Sequence, residues 1–171
     1  ETVDGHIAHL NCRYRVIGPR DAAGAVADRL DRVAREQVTD ALSDALDQAL
    51  GDDPTVYVLR RVDCSLWLNL AGGLTDTHLA RRWGARLAGA TVRAIANADG
   101  DGTTLVRFAD QADYVAHFVA DLAQDRAWER WFYGPFAALK VYNTGDALRG
   151  VLLDHHDQLP AILGYLHQYG T

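Results

Sequence analysis

Asp154-His155-His156-Asp157 is the densest run of metal-ligating side chains in the sequence. Adjacent histidines and aspartates serve metal phosphohydrolases, but such sites need further ligands at defined spacings, and none can be assigned here. Neighbouring residues on a helix point about 100° apart, so His155 and His156 could not share a metal without irregular backbone. The run reads as a polar link between two helices, with Asp157 capping the second. Asn97, Asp99, Asp101 and Gly102 match the opening of a calcium loop, yet the twelfth position holds Phe108 in place of the bidentate acid. What is left is an Asp-Gly-Asp-Gly turn. His6 and His9 lie three apart on an alternating segment and face opposite sides. Ser43 and Ser65 have no nucleophile-elbow context. Gly72-Gly73 lacks the later Gly or Lys of a phosphate loop. No catalytic, cofactor-binding or metal-binding residue is assigned, and no cofactor is expected.

Two groups remain as candidate contact residues. Asp40, Asp44 and Asp47 form an acidic stripe in the C-terminal half of a helical pattern, where the helix dipole disfavours acid. The stripe suits a basic partner or a solvated face. Trp128, Trp131, Phe132, Tyr133 and Phe136 fall within nine residues, too many for one face of one helical turn. Some belong in a core and others suit an interface anchor, since Trp and Tyr are enriched at contact hot spots.

The elements that would position these groups follow from periodicity. Val56, Val58, Val62, Cys64, Leu66, Leu68 and Leu70 alternate with mostly polar residues, and only Arg60 interrupts that face. This predicts a long strand over Val56–Leu70. Ala8, Leu10, Cys12, Tyr14 and Val16 alternate likewise and predict a first strand. Between them, Val26, Leu30, Val33, Val38, Leu42, Leu46 and Leu50 predict one helix over Asp21–Leu50, ended by Gly51 and Pro54. That helix is about 45 Å long against about 40 Å for the second strand, a match that permits a parallel crossover. Cys12 and Cys64 are expected as free thiols facing inward from neighbouring strands.

Beyond Gly73 the pattern turns helical. Thr75 or Asp76 can cap a helix carrying Leu79, Trp83, Leu87 and Ala90, with Gly84 and Gly89 as weak points. Thr104–Phe108 reads as a short strand or an extended entry into the next helix, which Asp110 caps and which presents Tyr114, Phe118 and Leu122. Two further helices are expected at about Asp146–Leu153 and Gln158–Tyr169, the second with Pro160 in its first turn. The expected fold class is α+β. A single domain over 1–171 combines a strand–long helix–long strand unit (1–73) with a mostly helical C-terminal part (74–171).

Composition sets outer limits. The chain has 171 residues, 49% hydrophobic and 23% charged; a domain of this size buries roughly 70% of its unfolded surface without needing metal or disulfide. A net charge of −6 argues against nucleic acid or anionic membrane as main partner. Residues 1–4 show no secretory signal, and no apolar run is long enough for a membrane span.

His6-Ile7-Ala8-His9-Leu10, the helical pattern after it, and Val58-Leu59-Arg60-Arg61-Val62-Asp63-Cys64-Ser65-Leu66 together carry a resemblance. They resemble the N-terminal region of tape-measure proteins of contractile injection systems, phage-tail-like bacterial machines. Those proteins tend to open with a His-x-Ile strand and to follow the helix with an Arg-x-Asp-x-Leu-type strand. Tyr114–Phe136, with Phe-Val-Ala-Asp-Leu and Ala-Trp-Glu-Arg-Trp, is similar to the family's later Phe-Leu helix and tryptophan motif. Two departures stand out. Family members are usually much longer, and Asp63-Cys64-Ser65 replaces the usual acidic-Leu-Asp-Leu-Gly run.

The resemblance implies a non-enzymatic assembly component, the globular head of a tape measure at the baseplate or spike hub. Its partners would be spike, hub, tube or baseplate proteins, in the bacterial cytoplasm or an assembled particle. A long strand edge without proline or lysine further suggests a homo-oligomer or partner complex through strand pairing. The alternative is a small soluble enzyme or ligand-binding domain with its site between sheet and helices. An adaptor that binds a basic partner through Asp40, Asp44 and Asp47 is a third reading.

Overall fold

The computed structural model describes residues 7–70, 72–98 and 102–170. His6, Asp99 and Asp101 lie outside them. Among the described residues, six α-helices and two short strands follow in the order α1 (Ala23–Glu36), α2 (Val38–Leu50), β1 (Val56–Leu59), α3 (Asp76–Asn97), β2 (Leu105–Phe108), α4 (Gln111–Ala123), α5 (Thr144–Asp154) and α6 (Leu159–Gln168). Short 3-10 stretches intervene, the longest over Trp131–Val141. The protein is mostly helical with one small antiparallel sheet, so it belongs to the α+β class in the broad sense.

The described residues form two compact units. One comprises residues 7–53, 62–70 and 72–97, the other residues 54–61, 98 and 102–170. α3 therefore belongs with the N-terminal elements. Each unit has its own apolar cluster.

In the first unit the expected single helix is two. A five-residue step separates Val33 from Val38, which on a straight helix rotates the second side chain about 140° off the first. Gln37 breaks the helix at φ −134° and ψ −20°, and both valines are then fully buried. α3 packs on α2 at one close point. A Cβ placed on Gly84 would lie 2.5 Å from the main-chain carbon of Ala41. The glycine that looked like a weak point in the helix is what lets the two backbones approach. The start of α3 is secured twice. Thr75 Oγ1 accepts from the His78 amide at 3.3 Å, as a capping residue should. Arg29 of α1 donates to Asp76 at 2.6 Å and also to the Leu74 carbonyl, while Arg32 adds a contact to Asp76 at 3.3 Å.

The expected long strands are not formed. Of the expected second strand only Val56–Leu59 forms, paired antiparallel with Leu105–Phe108 in the register Val56↔Phe108 and Leu59↔Leu105, so an antiparallel pair in the second unit stands where a parallel crossover was expected. Residues 61–70 belong to no strand, yet their burial alternates strictly, with even positions half-buried and odd positions exposed. Facing is thus set by the apolar pattern, whereas a ladder needs a partner at the right distance. The first predicted strand fails more fully. Cys12 and Tyr14 face the cluster, but Leu10 and Val16 are 40% and 37% exposed.

In the second unit the sequence is followed more closely. Asp110 caps α4, accepting from the Asp113 amide at 2.8 Å. Asn143 caps α5 through the Asp146 amide at 2.9 Å, and Pro160 sits in the first turn of α6. Asp157 does not cap α6; the N-cap position falls on Gln158, without a side-chain bond.

Two outcomes follow for the first unit. Gly84→Ala should destabilise it by about 1–3 kcal/mol, the usual cost of overpacking. Gly89→Ala, whose new methyl would meet only the Arg93 guanidinium at 3.4 Å, should be neutral or gain up to about 1 kcal/mol of helix propensity. Urea denaturation of both variants checks the pair, and equal effects would contradict the assigned crossing. The bond from Arg29, with help from Arg32, holds the Asp76 carboxyl below the usual carboxylate range. Its stabilising effect is present above the unfolded value near pH 4 and should vanish only as pH falls through the lower folded value. A carboxyl NMR titration of Asp76 reads this directly.

Candidate functional site

The five candidate aromatics divide between core and rim. Phe136 stacks on Phe118 of α4 with centroids 4.0 Å apart and planes 11° apart. Tyr133 is buried edge-on to Phe118 at 5.1 Å, and its hydroxyl donates to Asp121 at 3.0 Å. Both therefore serve packing. Phe132 is half-buried against Phe108, with centroids 5.9 Å apart. Trp128 and Trp131 are half-buried at the surface, and each carries a cation on its face. Lys140 Nζ lies 5.5 Å from the Trp128 ring centre, and the Arg60 guanidinium 5.9 Å from that of Trp131. The Trp131 indole donates to the Gly102 carbonyl at 3.2 Å, which fixes the ring beneath Arg60. A cleft of about 230 Å³ opens here, between Trp128, Trp131, Tyr133 and Lys140 and flanked by Glu129 and Arg130.

Asp40 and Asp44 are exposed on α2, one helical turn apart, and neither has a partner among the described residues. Asp47 continues the stripe but is half-buried and has a partner of its own. The other sequence candidates stay scattered. Asp154 ends α5, His155 is its C-cap and His156–Gln158 form one 3-10 turn. Among the described residues no three His, Cys, Asp or Glu side chains are placed to hold a metal. Cys12 and Cys64 are free and half-buried in the first unit, and burial pushes the Cys64 thiol up from its ordinary range. Ser65 contributes its carbonyl, which accepts from Arg86 of α3 at 2.9 Å.

One cluster escaped the sequence reading. Asp113 is a buried acid at the start of α4, 7% exposed. Its carboxylate accepts from the Ala109 amide at 2.7 Å and from the Tyr169 hydroxyl, and His117 Nδ1 lies 3.0 Å away. Tyr165 donates to Asp110 at 2.9 Å. The Tyr165 and Tyr169 rings stack, and the His117 ring packs on Tyr169 at 4.4 Å. These bonds tie the end of α6 to the first turn of α4. The signal available was Asp110, Asp113 and His117 at helical spacing, with Tyr165 and Tyr169 one turn apart.

Tyrosine ionisation reports on this packing. Burial raises the Tyr114 phenol, and burial with the nearby Asp121 raises Tyr133. The bond to Asp110 raises Tyr165, while burial and then Asp113 raise Tyr169. A raised folded pKa gives stability that is present below the unfolded value near 10 and lost as pH rises through the folded one. Tyrosinate absorbance from these four should therefore stay absent just above pH 10 and appear together with loss of near-ultraviolet dichroism. Ionisation of all four near pH 10 in a folded protein would contradict the packing.

Among the described residues, no helix is long and apolar enough to cross a membrane. Compared with known proteins, the chain is matched by no family model, no curated protein and no solved structure.

Proposed function

We propose that the chain is a non-enzymatic assembly component of a bacterial contractile injection system, akin to a tape-measure head docking at the baseplate or spike hub. One observation carries this reading beyond the motif resemblance. The extended segment 61–70 lies with its even side chains on the apolar cluster, while Val62, Cys64, Leu66, Leu68 and Leu70 make no main-chain hydrogen bond with any described residue. In an extended chain alternate residues direct their N–H and C=O groups to opposite edges. The odd edge is engaged at Ser65, whose carbonyl accepts from Arg86. Among the described residues nothing bonds the main chain of the even edge, which leaves it to receive a strand. Trp67, on the outward face of the same segment, is 76% exposed, an unusual position for an indole outside a contact surface.

Hydrogen exchange tests the reading. Amides of Val62, Cys64, Leu66, Leu68 and Leu70 should exchange rapidly in the isolated chain. They should slow by tenfold or more when the chain is co-purified with the spike, hub, tube or baseplate proteins of such a machine. Failure to bind any of these proteins would refute the reading, and binding without protection at 62–70 would move the contact elsewhere.

A further inference from the structure

We propose that the tryptophan cleft of the second unit docks the acidic stripe of α2 on a second copy of this chain. Asp40 and Asp44 would meet Lys140 and Arg60 in a head-to-tail contact. This rests on the assembly reading and names one partner within it.

Each half of the contact carries charge that no described side chain answers. The break at Gln37 places Asp40 in the first turn of α2 and Asp44 at its centre, not in the C-terminal half of one long helix, and the last turn has no basic residue. Neither Asp40 nor Asp44 is paired with a described residue. Lys140 and Arg130 line the cleft, Arg60 lies over the Trp131 ring at its margin, and the cations of this region divide into two kinds. The Arg126 and Arg130 guanidiniums sit on the Asp121 carboxylate at 3.3 and 3.7 Å, so their charge is already answered. Lys140 and Arg60 rest on indole faces instead, with no carboxylate partner among the described residues. An indole face seats a cation without neutralising it. Glu129 is the one acid lining the cleft.

The occupant follows from charge. Two cations seated on indole faces are complementary to carboxylates presented on one rigid element, and Asp40 and Asp44 project from one helix face about 6 Å apart along its axis. An ion pair formed against half-buried tryptophan is shielded from water on one side, so it contributes more than a fully exposed pair. Because the two surfaces differ, the contact is heterologous, and repetition gives a ring or a filament.

Complementation between two neutralised variants tests this. One is Asp40→Asn with Asp44→Asn, which blocks the stripe and leaves the cleft. The other is Arg60→Gln with Lys140→Gln, which blocks the cleft and leaves the stripe; Lys140→Gln alone serves if the pair unsettles the fold by circular dichroism. In sedimentation velocity at low salt, the wild type should associate with concentration. Each variant alone should need at least tenfold more protein to do so. An equimolar mixture should form a capped one-to-one dimer and nothing larger. A wild type that stays monomeric while still binding injection-machine proteins overturns the docking and leaves the assembly reading intact. Variants that associate like the wild type, or a mixture that stays monomeric, overturn it as well.

Discussion

The first unit depends on how closely α3 can approach α2. Gly84 against Ala41 leaves no room for even one methyl group, and Ala80 and Ala88 are buried on the same helix. Because α3 is held at that depth, its other contacts are set as well. Trp83 meets the Tyr14 ring edge-on at 6.3 Å, and Arg86 reaches the Ser65 carbonyl. One helix thus anchors both extended segments of the unit, the first through an indole and the second through a guanidinium. A displacement of α3 would shift both. The Arg29 and Arg32 contacts to Asp76 fix the beginning of the same helix, so its position is determined at its start and near its middle.

The second unit is organised by aromatic contact around Phe118. Trp128, Tyr133 and Phe136 all touch its ring. Trp128 comes from the short 3-10 turn Ala127–Glu129, and Tyr133 and Phe136 from the longer stretch that is wound as 3-10 helix, interrupted at Tyr133 and holding Pro135. Proline removes a helical hydrogen bond, and 3-10 winding needs side-chain packing to persist at this length. Here Tyr133 and Phe136 supply that packing. The buried Asp113 is tolerable for a related reason. An unpaired carboxylate in such a place would be costly, but an amide and a tyrosine hydroxyl both donate to this one.

Sequence periodicity revealed facing better than pairing. Alternation from Val62 to Leu70 correctly gave the inward side chains, because the apolar pattern alone decides which face meets the helices. It could not give the ladder, which depends on whether another strand lies alongside. Local chemistry was read well: the caps at Thr75 and Asp110, the glycine stop at Gly51 and the strand at Leu105–Phe108 all rest on neighbouring residues. The break at Gln37 was less visible, since a five-residue hydrophobic step is easily absorbed into one helix. Among the candidate contact residues, crowding of the aromatics was plain. Their division into core Tyr133 and Phe136 and rim Trp128 and Trp131 required Phe118, more than one turn distant in sequence. The seating of Lys140 and Arg60 on indole faces was likewise hidden, because Arg60 and Trp131 are brought together by the β1–β2 pair.

Facing without pairing has an energetic consequence for assembly. A flexible peptide that forms a strand on binding must lose backbone freedom of about 1–2 kcal/mol per residue. The 61–70 segment has already lost much of it, because Cys64, Leu66, Leu68 and Leu70 are held on the apolar cluster and Ser65 is held by Arg86. A strand arriving at the even edge would meet main-chain donors and acceptors in fixed alternation, so more of the interaction remains as affinity. The cleft follows the same logic with charge. Trp131 is fixed by its bond to Gly102, so the cation above it is presented in place. Both surfaces are positioned by packing within their own unit, so whatever binds either one has less ordering left to oppose it.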